Sequence, residues 1–327
     1  MSSADTSHHR IAIIGAGLAG LSAARELRTA GLDAVVLDKG RSVGGRLATR
    51  RIGDARLDHG AQFFTVRTDR FAAVVADWMN RGLVHEWCRG FDADNDDGFP
   101  RYVGTTGMNS LAKDLAAELD VRCNHLVFTA ARPDDGGPWI LTMDDASVVT
   151  ADVLICTAPV AQSFSLLFET VDGLPRDLFD ADYDRTLGIL AVLDSDPGLP
   201  EPGAVRDPSA DVSIVVDNAR KGVSPCPAIT LHASATWSEA HWDDDTDDVA
   251  NNLHGLLNPW LNGAHVIESQ VKRWRFATPR RTWPEPCWVS TPSRVVLAGD
   301  AYAGPRVEGA FTSGVAAAHA AIDLLTV

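Results

Sequence analysis

Cysteine, lysine and long apolar runs are all scarce in this chain of 327 residues. The five cysteines (Cys88, Cys123, Cys156, Cys226 and Cys287) lie far apart, with no pair at zinc-ligand spacing. An odd, scattered set excludes a disulfide scaffold and predicts free, mostly buried thiols in a reducing compartment. Of 29 basic residues only Lys39, Lys113, Lys221 and Lys272 are lysines. The most apolar stretch, residues 11–24, is interrupted by Gly15, Gly17 and Gly20. A membrane span needs ~20 apolar residues, so a soluble, cytoplasmic protein is expected. Positive charge is also in short supply: 44 acidic residues give a formal net charge of −15. That balance argues against a sequence-independent nucleic-acid binder and against an anionic-membrane binder, both of which need a basic surface. Repeats and low-complexity tracts are missing. What remains, 45% hydrophobic and 22% charged, is ordinary for a globular protein. The length suggests two domains at roughly 100–200 residues each.

Hydrophobic patterning predicts a buried strand over residues 10–14 behind a loose polar tail. A helix over 18–30 follows, stopped by Gly31, and then a strand over 34–37 closed by Asp38. Together these make a βαβ unit. Further along, helices are expected over 67–82 and 110–119, with Asn109 or Ser110 as cap, and strands over 152–155, 186–193 and 294–298. Residues 93–98 read as an acidic loop and 194–211 as a surface connection. The acids of 243–248 are placed to cap a helix running through Leu257, and 308–325 forms a closing small-residue helix.

Gly15-Ala16-Gly17-Leu18-Ala19-Gly20 sits between that first strand and helix. Its first glycine permits a tight turn, its second lets a pyrophosphate approach the backbone, and its third lets helix and strand pack closely. The helix N-terminus then offers N–H donors to phosphate. Asp38 follows Gly20 at the spacing where a carboxylate accepts hydrogen bonds from ribose hydroxyls, which disfavours a 2′-phosphate and leaves NAD or FAD.

The segment Asp38-Lys39-Gly40-Arg41-Ser42-Val43-Gly44-Gly45-Arg46 resembles the extended fingerprint of two-dinucleotide-binding-domain flavoproteins, with Arg46 placed to neutralise pyrophosphate. Near the C-terminus, Gly299-Asp300 closes a strand, and Val307-Glu308-Gly309-Ala310 with Ser313 opens the last helix. This resembles the flavin motif of the amine-oxidase superfamily, in which the aspartate binds the ribityl chain and the helix N-terminus faces the flavin. Asp58-His59-Gly60-Ala61-Gln62 is placed to meet the isoalloxazine, Thr157-Ala158-Pro159 to touch the dinucleotide at a strand end, and Val127 to lie beside adenine.

With DHGAQFFT at 58–65, HASATWS at 232–238 and GPRVEGAFTSG at 304–314, the chain resembles the renalase-like flavoproteins of that superfamily. The resemblance implies an α/β, Rossmann-like FAD fold of the p-hydroxybenzoate hydroxylase and amine-oxidase type, with a second α+β substrate domain. The FAD-binding domain would comprise 1–68, 104–160 and 288–327, and the substrate domain 69–103 and 161–287. It also implies non-covalent FAD and oxidation of 2- or 6-dihydro isomers of NAD(P)H to NAD(P)⁺, with O₂ reduced to hydrogen peroxide. A dihydropyridine already carries the electrons it gives up, so hydride transfer asks for positioning more than for acid–base help. The candidate substrate contacts are His232, Gln62, Trp237, Trp274 and Glu308, with His232 bonding a carboxamide and the tryptophans stacking on the ring. Core packing is the competing role for each tryptophan and for His232, and helix capping for Glu308. Arg50-Arg51 and Arg280-Arg281 are candidates to meet a dinucleotide's phosphates, with solvated loop charge as the competing role for each. Two other readings stand beside this one: a flavin amine oxidase on a small amine, and a non-catalytic flavin-fold binding protein. The first would want a lysine near the flavin; the 186–193 strand has none, and Lys272 is the residue that keeps that reading open.

Overall fold

The computed structural model describes residues 6–91, 98–179 and 182–326. Most of the acidic loop expected at 93–98 lies outside the described residues. The chain forms two compact units. One comprises Met1–Gly45, Ala112–Asp182 and Pro279–Val327; the other comprises Arg46–Leu111 and Tyr183–Thr278. These packing boundaries place residues 46–68 with the second unit. Sequence motifs alone had grouped them with the fingerprint that they follow.

The first unit is built on an eight-stranded sheet. Its spine runs Val295–Leu297, Val148–Cys156, Thr6–Ile14, Ala34–Asp38 and Asp120–Cys123, every neighbouring pair parallel. Strands buried on both faces read as unbroken apolar runs, and Ile11–Ile13, Val35–Leu37 and Val153–Cys156 are all fully buried. The Thr6–Ile14 strand starts before the expected Arg10, because its partner is itself nine residues long and carries the backbone ladder back to Thr6↔Val148. Ile14, Leu37, Cys156 and Leu297 are in register, so four strand ends deliver the loops at 15–20, 38–45, 157–159 and 299–300 to one rim of the sheet. The order reverses beside the Thr6–Ile14 strand, where open α/β sheets leave a crevice for ligands. Leu18–Thr29 and Val307–Thr326 are the two helices that matter here. They pack closely because Gly314 has no Cβ, which would otherwise strike the carbonyl of Ala19.

The second unit is α+β. Its five-stranded sheet runs Ala204–Arg206, Val212–Asp217, Ala228–Ala233, Tyr183–Leu193 and Val266–Pro279. The edge strand Ala204–Arg206 falls inside the stretch expected to be only a surface connection. Alternation divides the two faces. Leu187, Ile189, Ala191 and Leu193 join Ile229, Leu231 and Ala233 under the Thr246–Leu257 helix, which Asp245 caps as expected. On the opposite face, Leu190 and Ala228 pack on Ile52, Ala55 and Leu57 of a hairpin formed by Thr49–Ile52 and Ala55–Asp58. That hairpin leads directly into residues 58–62.

All five cysteines are free; Cys156 is fully buried, whereas the other four are only partly so. Among the described residues no helix is long and apolar enough to cross a membrane.

Candidate functional site

In the first unit the glycine turn is shaped by contacts within the protein at two of its three positions. Gly15 has φ +105°, and a Cβ there would lie 2.6 Å from Thr157 Oγ1; a Cβ on Gly20 would strike the carbonyl of Gly15. Gly17 differs. Its backbone is extended, φ −75° and ψ −179°, and nothing lies within 4 Å of where a Cβ would stand. No contact within the protein asks for glycine at this position. It caps the Leu18–Thr29 helix with no side-chain cap and no acid in the first turn, leaving N–H donors and the positive end of the helix dipole facing open space. That is the cradle a pyrophosphate requires, so the residues present fit a dinucleotide.

Around it, Gly44 donates to the Ala16 carbonyl at 2.8 Å, and Gly45 comes within contact of Gly17. Asp38 accepts from the Ala16 N–H and the Gly40 N–H, each at 2.6 Å. Each of its oxygens keeps a lone pair for a ribose hydroxyl, but Asp38 also ties the glycine turn to the loop after the second strand. Lys39 is exposed and donates to Gln162 Oε1, while Val127 is buried in its strand. Thr157 Oγ1 donates to the Ile14 carbonyl, and Ala158 and Pro159 lead into the Val160–Leu167 helix. Gly299, φ +139°, donates to Ser313 Oγ at 2.8 Å, fixing Asp300 at the start of a short helix. Glu308 is buried in the first turn of the last helix, beside Val307, Gly309 and Ala310.

In the second unit a polar cluster fills the space between the hairpin and the sheet. Asp58 is fully buried; its Oδ1 accepts from Thr49 Oγ1 at 2.5 Å and from the Met108 N–H at 2.9 Å, and its Oδ2 forms an ion pair with Lys221 Nζ at 2.8 Å. Its N–H donates to Asn218 Oδ1, and its carbonyl accepts from Thr230 Oγ1 and Gln62 Nε2. Lys221, also fully buried, donates to the backbone carbonyl and Oε1 of Gln62, each at 3.2 Å. Burial lowers its ammonium from the usual value, against the opposing pull of Asp58.

The polar atoms of Gln62 are therefore engaged in holding the turn. Gly60 has a comparable explanation: a Cβ would strike the carbonyl of Arg46, to which the Ala61 N–H donates at 2.8 Å. Arg46 itself lies over the Tyr183 ring at 5.8 Å and donates to the Ala277 carbonyl.

His59 and His232 meet at the exit of this turn. The His59 carbonyl accepts from Trp274 Nε1 at 2.6 Å, and it also acts on His232, raising its pKa against the effect of burial. The His59 and Trp274 rings stack at 5.4 Å. Gly188, opposite His232 in the neighbouring strand, makes room for its ring; a Cβ there would come within 2.9 Å of His232 Cδ2. Nε2 of His232 has no hydrogen-bond partner among the described residues. Trp237 is not part of this group: it packs against the core on the helix-covered face, its ring 4.2 Å from that of His241.

Burial, reinforced by Lys272, His232 and Arg50, lowers His59 to about 3, while burial lowers His232 to about 4 in spite of the His59 carbonyl. Both are neutral at physiological pH. In the unfolded chain they protonate near 6.5, so between that value and their folded values the unfolded state binds more protons. Stability should then fall as pH drops below 6.5, by up to about 1.4 kcal/mol per pH unit for each histidine. Urea midpoints compared at pH 7 and pH 5 should show this loss, and it should shrink in the His59→Gln/His232→Gln variant. An equal loss in that variant would assign it to other groups.

Lys221 and Asn218 had no motif to mark them. The surviving signal is slight: Lys221 is one of only four lysines, in the polar run Asp217-Asn218-Ala219-Arg220-Lys221.

Two family descriptions match the chain: NAD(P)-binding Rossmann-like domain over residues 13–78 and flavin containing amine oxidoreductase over residues 71–322. Similar curated proteins include the flavin-containing monooxygenase FMO GS-OX-like 2 of Arabidopsis thaliana, 60% identical over 288 residues and covering 80% of this chain. A hydroxyneurosporene desaturase of Rubrivivax gelatinosus is 39% identical over 59 residues, 18% of this chain. The chain spans 55% and 11% of the lengths of these two relatives. Among solved structures, a triple mutant of putrescine oxidase aligns with TM-score 0.70 at 16% identity, covering 97% of this chain and 99% of that one. A chain described as a protoporphyrinogen oxidase from Exiguobacterium sp. 255-15 aligns with TM-score 0.69 at 15% identity, covering 99% and 98%. At such identities the likeness establishes the fold, which is the expected one. The chain belongs to the flavin containing amine oxidoreductases, a family of FAD-dependent oxidoreductases.

Proposed function

We propose that this chain is a renalase-like oxidase, taking hydride from 2- or 6-dihydro isomers of NAD(P)H and returning NAD(P)⁺, with O₂ as the final acceptor. The observation that carries the reading is the sign of the charge around His59. Lys272 and Arg50 are the cations that act on it, and the adjacent carboxylate, Asp58, is taken up by Lys221, Thr49 and Met108. A small amine arrives as an ammonium ion and is repelled by such a field, so the amine reading would need Lys272 in its neutral form, the direction in which burial and Arg50 shift it. A dihydropyridine ring is neutral and needs no deprotonation before it gives up its hydride.

When bound, FAD supplies the hydride acceptor and the path of electrons to dioxygen, with hydrogen peroxide as the second product. Gly15, Gly17, Gly20, Asp38, Gly44 and Gly45 would hold its dinucleotide part, with Thr157, Gly299, Asp300 and the turn at 307–310 completing the same rim. The chain's own part in the reaction is positional. Neutral His232 presents Nε2 for a carboxamide, and Trp274, held by the His59 carbonyl, keeps the His59 ring flat against it. Neither histidine is called upon to move a proton, in keeping with their low pKa values.

The test is anaerobic mixing of the purified yellow protein with the 2- and 6-dihydro isomers, with ordinary 4-dihydro-NADH and a panel of amines alongside. The flavin band should bleach with the isomers alone and return with peroxide on admitting air. Bleaching by putrescine, the ligand in one of the similar solved structures, or by another amine would establish the amine oxidase reading instead.

A further inference from the structure

The hairpin-facing side of the Val266–Pro279 strand carries Gln270, Lys272 and Trp274 in alternation, and the Thr49–Ile52 strand sets Arg50 against it. Arg50 Nε and Lys272 Nζ both donate to one atom, Gln270 Oε1, at 3.2 and 3.1 Å. Among the described residues neither cation pairs with a carboxylate, although the protein carries 44 acids. Arg50 is exposed and Lys272 half-buried; burial first and Arg50 second lower the Lys272 ammonium, and an anion between the two cations would relieve their repulsion. Both cations also act on His59, whose ring stacks on Trp274.

The other arginines considered from sequence are placed differently. Arg280 is neutralised by Asp182 at 2.9 Å, and Arg51 lies opposite Arg56 in the hairpin, pointing to the other side from Arg50 by strand alternation.

We infer that Arg50 and Lys272 form an anion subsite that takes a phosphate group of the proposed dihydronicotinamide substrate. This rests on the proposed function and adds the part of the substrate that the ring contacts do not reach. In a protein of net charge −15 a local pair of cations is needed to hold a phosphorylated ligand. The guanidinium offers a fork and the ammonium a point charge to the same oxygens.

The subsite is read by equilibrium binding to the FAD-loaded protein, following the perturbation of the flavin spectrum. Nicotinamide mononucleotide is titrated against 1-methylnicotinamide, which has the ring and no phosphate, and inorganic pyrophosphate is used as a competitor. Arg50→Gln and Lys272→Gln should each raise the Kd for the mononucleotide about 5- to 50-fold. The Kd for 1-methylnicotinamide should stay within about twofold, because neither substitution touches the ring contacts. Wild-type binding of the mononucleotide should weaken with ionic strength, and that dependence should flatten in both variants. Equal weakening of both ligands, or of neither, overturns the subsite. So does loss of FAD from the variants, which would mean that the two cations serve the cofactor's own phosphates. Failure of the proposed reaction looks different: no dihydronicotinamide bleaches the flavin, while the binding experiment, which needs no turnover, still decides the subsite.

Discussion

Lys221→Met should cost the protein about 3–5 kcal/mol of stability at neutral pH, the usual consequence of leaving one member of a buried ion pair alone. Asp58 would keep the Thr49 hydroxyl and the Met108 N–H, but its second oxygen would lose the cation it pairs with. The double variant Asp58→Asn/Lys221→Met removes both charges. Asparagine retains an oxygen that can accept from Thr49 and Met108, and most of the loss should be recovered, since a buried pair replaced by neutral groups of similar size is often close to neutral in energy. Urea midpoints of the FAD-loaded proteins measure all three. A double variant as unstable as Lys221→Met would show that the lysine stem, not its charge, is what the fold needs. The pair is better understood as specifying the geometry of residues 58–62 than as a source of net stability. Gln62, Asn218 and Thr230 are all satisfied only in this one arrangement.

The contrast between the two units explains what could be read in advance. In the first, every element at the sheet rim is announced locally: an apolar run for the strand, glycines for the turn, an acid at the next strand's end, a small-residue face for the last helix. Such patterns depend on neighbours within a few positions, and they lead to the parallel sheet and to the positions of Gly15, Gly20, Asp38 and Asp300. In the second unit the cluster is assembled from residues far apart in the chain. Asp58 meets Lys221, His59 meets His232 and Trp274, and Arg50 meets Lys272. None of these pairings has a fixed spacing. His232 and Trp274 were legible only through family-like segments, and Trp237, in the same segment as His232, belongs to the core because the chain enters a helix at Ala235 and leaves the sheet face. Gln62 stands in a legible motif, but the buried lysine that donates to its amide oxygen is one that no local pattern predicts. The first strand's extra turn of ladder back to Thr6 is a third case: polar residues are held in a sheet by a partner strand 142 positions away.

Gly17→Val should abolish FAD retention while leaving the fold intact, an effect of at least about 100-fold in Kd if a pyrophosphate lies against the backbone there. The extended backbone at Gly17 accepts any residue, and the volume a side chain would fill is empty of protein. Gly20→Ala makes the opposite case. Its Cβ would meet the carbonyl of Gly15, so the strand and helix would have to part, and the expected outcome is poor folding with or without flavin. Valine is a poor N-cap and would weaken the Leu18–Thr29 helix by itself. Gly17→Thr controls for that, because threonine occupies nearly the same volume and caps well. Both variants should therefore emerge colourless, with far-UV circular dichroism like that of the flavin-stripped wild type. Asp38→Ala should be intermediate: loss of a charge-assisted ribose contact weakens FAD by about 1.5–3 kcal/mol, and the freed Ala16 and Gly40 amides loosen the turn as well. Flavin content after gel filtration and titration of the apoprotein with FAD measure each. Full retention of FAD by Gly17→Thr would mean that the pyrophosphate does not lie over the open face at Gly17. The glycine would then be left without a physical reason, since no contact within the protein asks for it.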